Sequence, residues 1–96
     1  MRLWVDDLRP APEGWYWAKT SDHAIEMLIL GRSDITEMSL DHDLGGHDTT
    51  RPIVSWLCDQ YAAGNNYWPD IIHVHSANPV GVQWLTGTIE RYKPCQ

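Results

Sequence analysis

Three short apolar runs in this chain each break off into charged or hydrogen-bonding residues: "LWV" into Asp6 and Asp7, "MSL" into Asp41, His42 and Asp43, and "IIHV" into His75 and Ser76. Short apolar runs bounded by turn-forming residues read as strands. Helix-patterned stretches follow or separate them. Ala24, Ile25, Leu28 and Ile29 recur at helical spacing after Ser21, a plausible N-cap, and stop at Gly31. Ile53, Leu57 and Tyr61 form a second helical face, with Asp48, Thr49 or Thr50 as cap, Pro52 in the first turn and Gly64 beyond. Asn78 followed by Pro79 opens a third helix whose apolar face is Val82, Leu85 and Ile89. Strands alternating with helices imply a parallel α/β sheet, and such sheets bind ligands outside the carboxyl ends of their strands. All three polar ends should therefore meet at one edge.

The aromatic run "GWYWAKT" supplies a further strand, giving the order β β α β α β α over a single domain, residues 1–96. "LRPAPE", between the first two strands, is too short and too rich in proline for a crossover helix. The roughly eight residues from Asp7 to Gly14 reach about 27 Å when extended, so a helix-free parallel return and a hairpin both remain open. Six tryptophans and four tyrosines, with no phenylalanine, are expected to carry much of the core area.

The net charge of −6, from 13 acidic against 7 basic residues, opposes a nucleic-acid backbone, so duplex DNA binding is not expected. Cys58 and Cys95 show neither zinc spacing nor a disulfide framework, which fits a reducing cytoplasm. Near the start there is no basic, apolar and cleavable secretory pattern, and no run approaches membrane-spanning length; the expectation is a soluble cytoplasmic protein.

Asp6, Asp7, Asp41 and Asp43 gathered at one edge repel one another unless a cation or hydrogen-bond donors lie nearby. They make a hard, oxygen-rich metal site suited to Mg²⁺ or Mn²⁺, with Mn²⁺ or Zn²⁺ favoured if a histidine also ligates. Helix starts near Asp48 to Thr50 and at Asn78 present backbone N–H groups that suit phosphate, and Arg9 offers a planar donor fork. Taken singly, each of these residues has a plainer role. An acid at a strand end is usually solvated or bonded to its own turn, as Asp7 or Asp43 would be, and His23, His47 and His73 read as surface or half-buried side chains. The case rests on three strand ends converging.

"LWVDD" resembles the first strand of response-regulator receiver domains, "SLDHDLGG" their phosphoacceptor strand, and "IIHVHSA" the strand ending in Ser or Thr followed by Ala. More closely, "DDLRPAPEGW", "SLDHDLG", "VSWL" and "HSANPVG" together resemble the cyclic-phosphate processing receiver domain family over nearly the whole chain. The resemblance implies a reduced receiver-like (flavodoxin-like) three-layer fold of about four mainly parallel strands with three helices. It places Asp6 and Asp7 on the metal-binding acid pair, Asp41 on the phosphoacceptor, Ser76 on the phosphate-contacting hydroxyl, and Asp43 where a receiver offers a backbone carbonyl to Mg²⁺. A receiver's fifth strand, ending in a lysine that holds the phosphoryl group, has no counterpart here, and Lys93 lies at the far end of the last helix. His42, His75 and Asn78 are polar additions.

The leading expectation is a metal-dependent phosphoesterase acting on a cyclic phosphate of a nucleotide or RNA end. The metal falls to Asp6, Asp7, Asp41 and Asp43, proton transfer to His42 or His75 beside Asp41, and the phosphate to Arg9, Ser76 and Asn78. The alternatives are a non-catalytic module that binds a phosphorylated small molecule or signalling nucleotide, and a degenerate phospho-receiver that works through a protein partner.

Overall fold

The computed structural model describes residues 1–94. Four strands, β1 (Arg2–Val5), β2 (Trp15–Ala18), β3 (Glu37–Leu40) and β4 (Ile71–Val74), form one sheet in the order β2-β1-β3-β4. Every neighbouring pair is parallel. The helices are α1 (Ser21–Gly31), α2 (Arg51–Ala62) and α3 (Pro79–Tyr92), and a single 3-10 turn spans Arg32–Asp34. The predicted element order and a receiver-like α/β fold are what the chain adopts.

The direction of β2 is now settled as parallel to β1, so the proline-rich linker returns along the sheet without a helix. Indoles do the fastening instead. Trp4 donates its Nε1–H to the Arg9 carbonyl at 2.9 Å, and Trp17 donates to the Asp6 carbonyl at 2.6 Å. The Trp15 N–H bonds the Pro12 carbonyl at 3.1 Å, closing the turn before β2.

The expected third layer is absent among the described residues. The crossovers from β2 to β3 and from β3 to β4 step the same way across the sheet, so right-handed connections put α1 and α2 on one face. Consistent with this, α2 packs against both α1 and α3. A helix for the opposite face would have to come from the link between β1 and β2, where "LRPAPE" cannot supply one. The molecule is a two-layer α/β domain.

Its core lies between helices and sheet. Leu3, Val5, Met38 and Leu40 from the strands meet Ala24 and Leu28 of α1, Ile53, Val54 and Leu57 of α2, and Leu85 and Ile89 of α3. Each fully buried leucine contributes about 1.5–3 kcal/mol. The tryptophans do not carry this core: of the six, only Trp68 is buried within it. Trp4, Trp15 and Trp17 fall on the helix-free face, as the strand register requires. There Trp15 meets Trp4 edge-on at 6.0 Å, Arg2 lies over Trp15 and Lys19 over Trp17. Large amphipathic side chains thus cover the face that lacks a helix layer.

Helix ends and faces differ from expectation in detail. Thr20 caps α1, accepting the His23 N–H, and Ser21 is its first, buried residue. Ile29 and Tyr61 are exposed, while Val54 joins the buried side of α2. Val82 is only half-buried, leaving Leu85 and Ile89 as the buried apolar residues of α3. Asn78 caps α3 as predicted, accepting the Gly81 N–H. Thr50 occupies the cap position of α2, but its hydroxyl donates to the Asp41 carbonyl at 2.6 Å and so ties the helix to the end of β3. No helix among the described residues is long and apolar enough to cross a membrane. Cys58 is a free, half-buried thiol, and Cys95 lies outside the described residues.

Candidate functional site

Because β1 and β3 are adjacent and parallel, the residues that leave their carboxyl ends share one edge of the sheet. Asp6, Asp7 and Asp41 each offer an oxygen there, all within 4.8 Å of one another. Asp6 is completely buried. Its Oδ1 accepts the backbone N–H groups of Leu8 and Arg9, both at 2.9 Å, which folds the chain sharply after β1. Its Oδ2 receives the His75 Nε2–H at 3.0 Å and lies 3.2 Å from Arg9 Nε. Burial opposes the charge on this carboxyl, but the two backbone N–H groups, His75 and the Arg9 guanidinium outweigh it and hold the pKa below the ordinary carboxylate value. Arg9 also reaches Asp41, with Nη2 at 3.8 Å from Oδ1, and the same oxygen accepts the His42 N–H at 2.8 Å.

Both histidines are fully engaged. His75 lies flat against Trp4, ring centroids 3.8 Å apart and nearly parallel, and its Nδ1 is 2.7 Å from the Ser39 hydroxyl. Burial pushes its pKa down, only partly countered by Asp6, so the ring is neutral near pH 7. It therefore donates through Nε2 to Asp6 and accepts through Nδ1 from Ser39. His42 is buried, and its Nε2 accepts from Arg51 Nε at 2.9 Å. That bond fixes the other nitrogen as the donor, and Nδ1–H points to Asp43 Oδ1 at 3.0 Å. Arg51 is itself held over the Trp84 ring.

Asp43 does not join the other three acids. Its second oxygen accepts the Asn78 side-chain amide at 3.1 Å. Asn78 and His42 together hold its carboxyl below the usual range, against a small opposing effect of burial. Both of its oxygens thus serve a brace that runs from α2 through Arg51, His42, Asp43 and Asn78 to the first turn of α3. Gly81 lets that turn close on the brace: a Cβ there would stand 2.3 Å from His42 Cγ.

The phosphate-binding candidates are placed unevenly. Ser76 accepts the Asn78 N–H at 3.1 Å, leaving its hydroxyl proton to donate outward. Asn78 spends its side chain on Asp43 and Gly81. The first turn of α3 has little left for an anion, since Pro79 has no N–H and those of Gly81 and Val82 already bond Asn78. Arg9 is turned to the acids. Asp48, one of the three residues offered as a cap for α2, instead receives the backbone N–H and hydroxyl of Ser21 at 2.9 and 2.5 Å and so holds the start of α1. His47 is exposed in the intervening loop.

Ser39, Trp4, Arg51 and Gly81 support the site without standing out in the sequence reading. Strand alternation offers a signal for two of them, since Ser39 and Trp4 stand two residues before Asp41 and Asp6 and share their face. Arg51 and Gly81 carry no comparable signal, because their role depends on how α2 and α3 approach His42. A groove of about 570 Å³ between α2 and α3, lined by Cys58, Tyr61, Trp84 and Tyr92 among others, contains none of the edge residues.

Comparison with curated proteins and with solved structures returned no match for this chain. A protein-family model does match, and it spans the acid pair after β1, the acids after β3 and the polar end of β4 in the order found here. Over residues 1–91 the chain matches the cyclic-phosphate processing receiver domain, and it belongs to that family.

Proposed function

We propose that the protein is a metal-dependent phosphoesterase that opens a cyclic phosphate of a nucleotide or RNA end. The observation that carries this reading is the grouping of Asp6, Asp7 and Asp41 within 4.8 Å beside Arg9, next to the hydroxyl-bearing end of β4. With every histidine nitrogen nearby already bonded, the donor set is all oxygen, which fits Mg²⁺ or Mn²⁺ better than Zn²⁺. When bound, such an ion supplies Lewis-acid polarisation of a phosphoryl oxygen and a more acidic water.

The chain's own residues divide the remaining work. Asp41 has one oxygen engaged by the His42 N–H and keeps the other for the attacking water. It takes the water proton as the new P–O bond forms. One ring P–O bond breaks, and the proton returns to the released alkoxide, leaving a phosphomonoester. Ser76 donates its hydroxyl to a phosphoryl oxygen, and the Arg9 guanidinium supplies further donors for the developing charge. His42 and His75 act as positioning residues for Asp43 and Asp6 rather than as proton carriers.

The same engagement of both histidines favours a second reading, recognition of a phosphorylated small molecule or nucleotide without turnover. The two separate in an assay of a panel of cyclic nucleotides with Mg²⁺, with Mn²⁺ and with chelator. Ring opening that needs the metal and is lost in Asp41→Asn supports the phosphoesterase. Saturable binding with no product under any condition leaves the binding module. Asp41→Asn should also leave the metal-free melting temperature unchanged or slightly raised, because it removes one of three neighbouring carboxylates. A large loss of melting temperature would mean that Asp41 braces the fold instead.

A further inference from the structure

Asp6 is closely surrounded by positive partners. A carboxylate offers about four lone-pair positions; here the N–H groups of Leu8 and Arg9 and the His75 ring take three by hydrogen bonding, and the Arg9 guanidinium stands beside Oδ2 as an ion pair at 3.2 Å. An incoming cation competes with these four partners for the same buried carboxylate. The two backbone groups are fixed by the turn after β1. His75 is fixed between Ser39 and Trp4. The Arg9 side chain differs: it is half exposed, on a long flexible stem, and its second contact, to Asp41, is a loose 3.8 Å. It is the one donor free to leave at little cost.

We propose that the Arg9 guanidinium is the resident counter-cation of the acid cluster and exchanges with the metal, so that Arg9 links metal binding to phosphate binding. In the metal-free protein it offsets the charge of Asp6 and Asp41. A divalent cation takes that place and releases a planar fork of donors at the same edge of the sheet, where a phosphate held by the metal accepts it. Arg9 therefore opposes the metal alone and favours the metal together with phosphate. The coupling makes the site fill as a unit, with little occupancy by free Mg²⁺. The inference rests on the metal assignment under Proposed function.

The test is calorimetric titration of Mg²⁺ into wild-type protein and Arg9→Gln, each with and without inorganic phosphate. Glutamine keeps the backbone N–H to Asp6 and the carbonyl to Trp4, and a melting curve checks that the variant is folded. Without phosphate, Arg9→Gln should bind Mg²⁺ about fivefold or more tightly than wild type, the lower end of ordinary coupling between sites. Phosphate should tighten Mg²⁺ binding in wild type and do so much less in the variant. Equal or weaker Mg²⁺ binding by folded Arg9→Gln, or an equal phosphate effect in both proteins, overturns the exchange while leaving the metal reading intact. Absence of Mg²⁺ binding in both proteins removes the metal assignment and this inference with it. Arg9→Lys, which keeps the charge but not the fork, should restore the opposition to Mg²⁺ and recover only part of the phosphate coupling.

Discussion

The two faces of the sheet are built on different principles. On one, Leu3, Val5, Met38 and Leu40 are sealed under three helices in an aliphatic core. On the other, Arg2, Trp4, Trp15, Trp17, Glu37, Ser39 and His73 cover the strands with their own side chains, joined by Arg2–Glu37 and His73–Glu37 pairs at 3.3 and 2.7 Å. Strand alternation carries the second face into the site: Trp4 precedes Asp6, Ser39 precedes Asp41 and His73 precedes His75, each by two residues. His42, one position out of that phase, turns to the helix side and is buried against α3. The covered face supplies stability, and the uncovered face orients the acids.

The largest effect should come from breaking the covered face. Leu57→Ala opens a cavity in a fully buried cluster and should cost about 2–5 kcal/mol in urea unfolding. Trp15→Ala, a larger truncation on the half-buried aromatic face, should cost less than about 2 kcal/mol. Equal costs would show that the aromatic face is a second core.

Next in size is Gly81→Ala, on the boundary between helix face and site. The added methyl must push against His42, so about 1–3 kcal/mol should be lost by overpacking. The Asp43–Asn78 brace should loosen with it, visible as faster exchange of the backbone amides at position 81 and Val82, which bond Asn78. A variant as stable as wild type, with unchanged exchange, would mean that α3 shifts freely and His42 is not clamped.

A smaller effect separates the two faces by pH. The folded pKa of His75 lies below its ordinary 6.5, so the neutral ring contributes stability that is complete above that value and is lost as pH falls through the folded pKa. Asp6, also depressed, has the same sign at lower pH: its contribution is present above the ordinary carboxylate value and lost as pH falls through its folded pKa. Wild-type protein should therefore lose unfolding free energy between pH 7.5 and pH 5.5, and His75→Gln should lose less over that interval. Parallel profiles would place the titrating group elsewhere.

How far the sequence led depends on the range of the interactions. The strand ends with their acids were legible because period-two alternation and an abrupt switch from apolar to charged residues are local patterns. Asn78 with Pro79 was legible for the same reason. The direction of β2 was not, since an eight-residue link permits both a hairpin and a parallel return, and the indole bonds of Trp4 and Trp17 that favour the latter form only after folding. The two-layer build departs from the expected three layers although its cause, a proline-rich link with no helix, is written in "LRPAPE". The histidines were the hardest. Their freedom is decided by Arg51, Ser39 and Gly81, distant in sequence, and by a strand phase that sets His42 and His75 on opposite faces.

The smallest predicted effect is none at all, and it tests whether the uncovered face can support phosphoryl storage. An aspartyl phosphate adds negative charge beside Asp6 and Asp7 and needs a flexible cation near the strand ends. Lys19, on the aromatic face, lies over the Trp17 ring at 4.3 Å. Lys93 follows the carboxyl end of α3, remote from its first turn at the site. Arg9 is paired with Asp6 and Asp41 in the metal-free protein and, on the proposed reading, is given over to the substrate phosphate once the metal is bound. Incubation with acetyl phosphate and Mg²⁺ should therefore leave the intact mass unchanged, while a phosphate-containing ligand raises the melting temperature by binding only the native state. A stable mass increase that disappears in Asp41→Asn would show that Asp41 accepts a phosphoryl group. The site would then be a phosphoacceptor acting through a partner, with the uncovered face, not the covered one, as the surface nearest the switch.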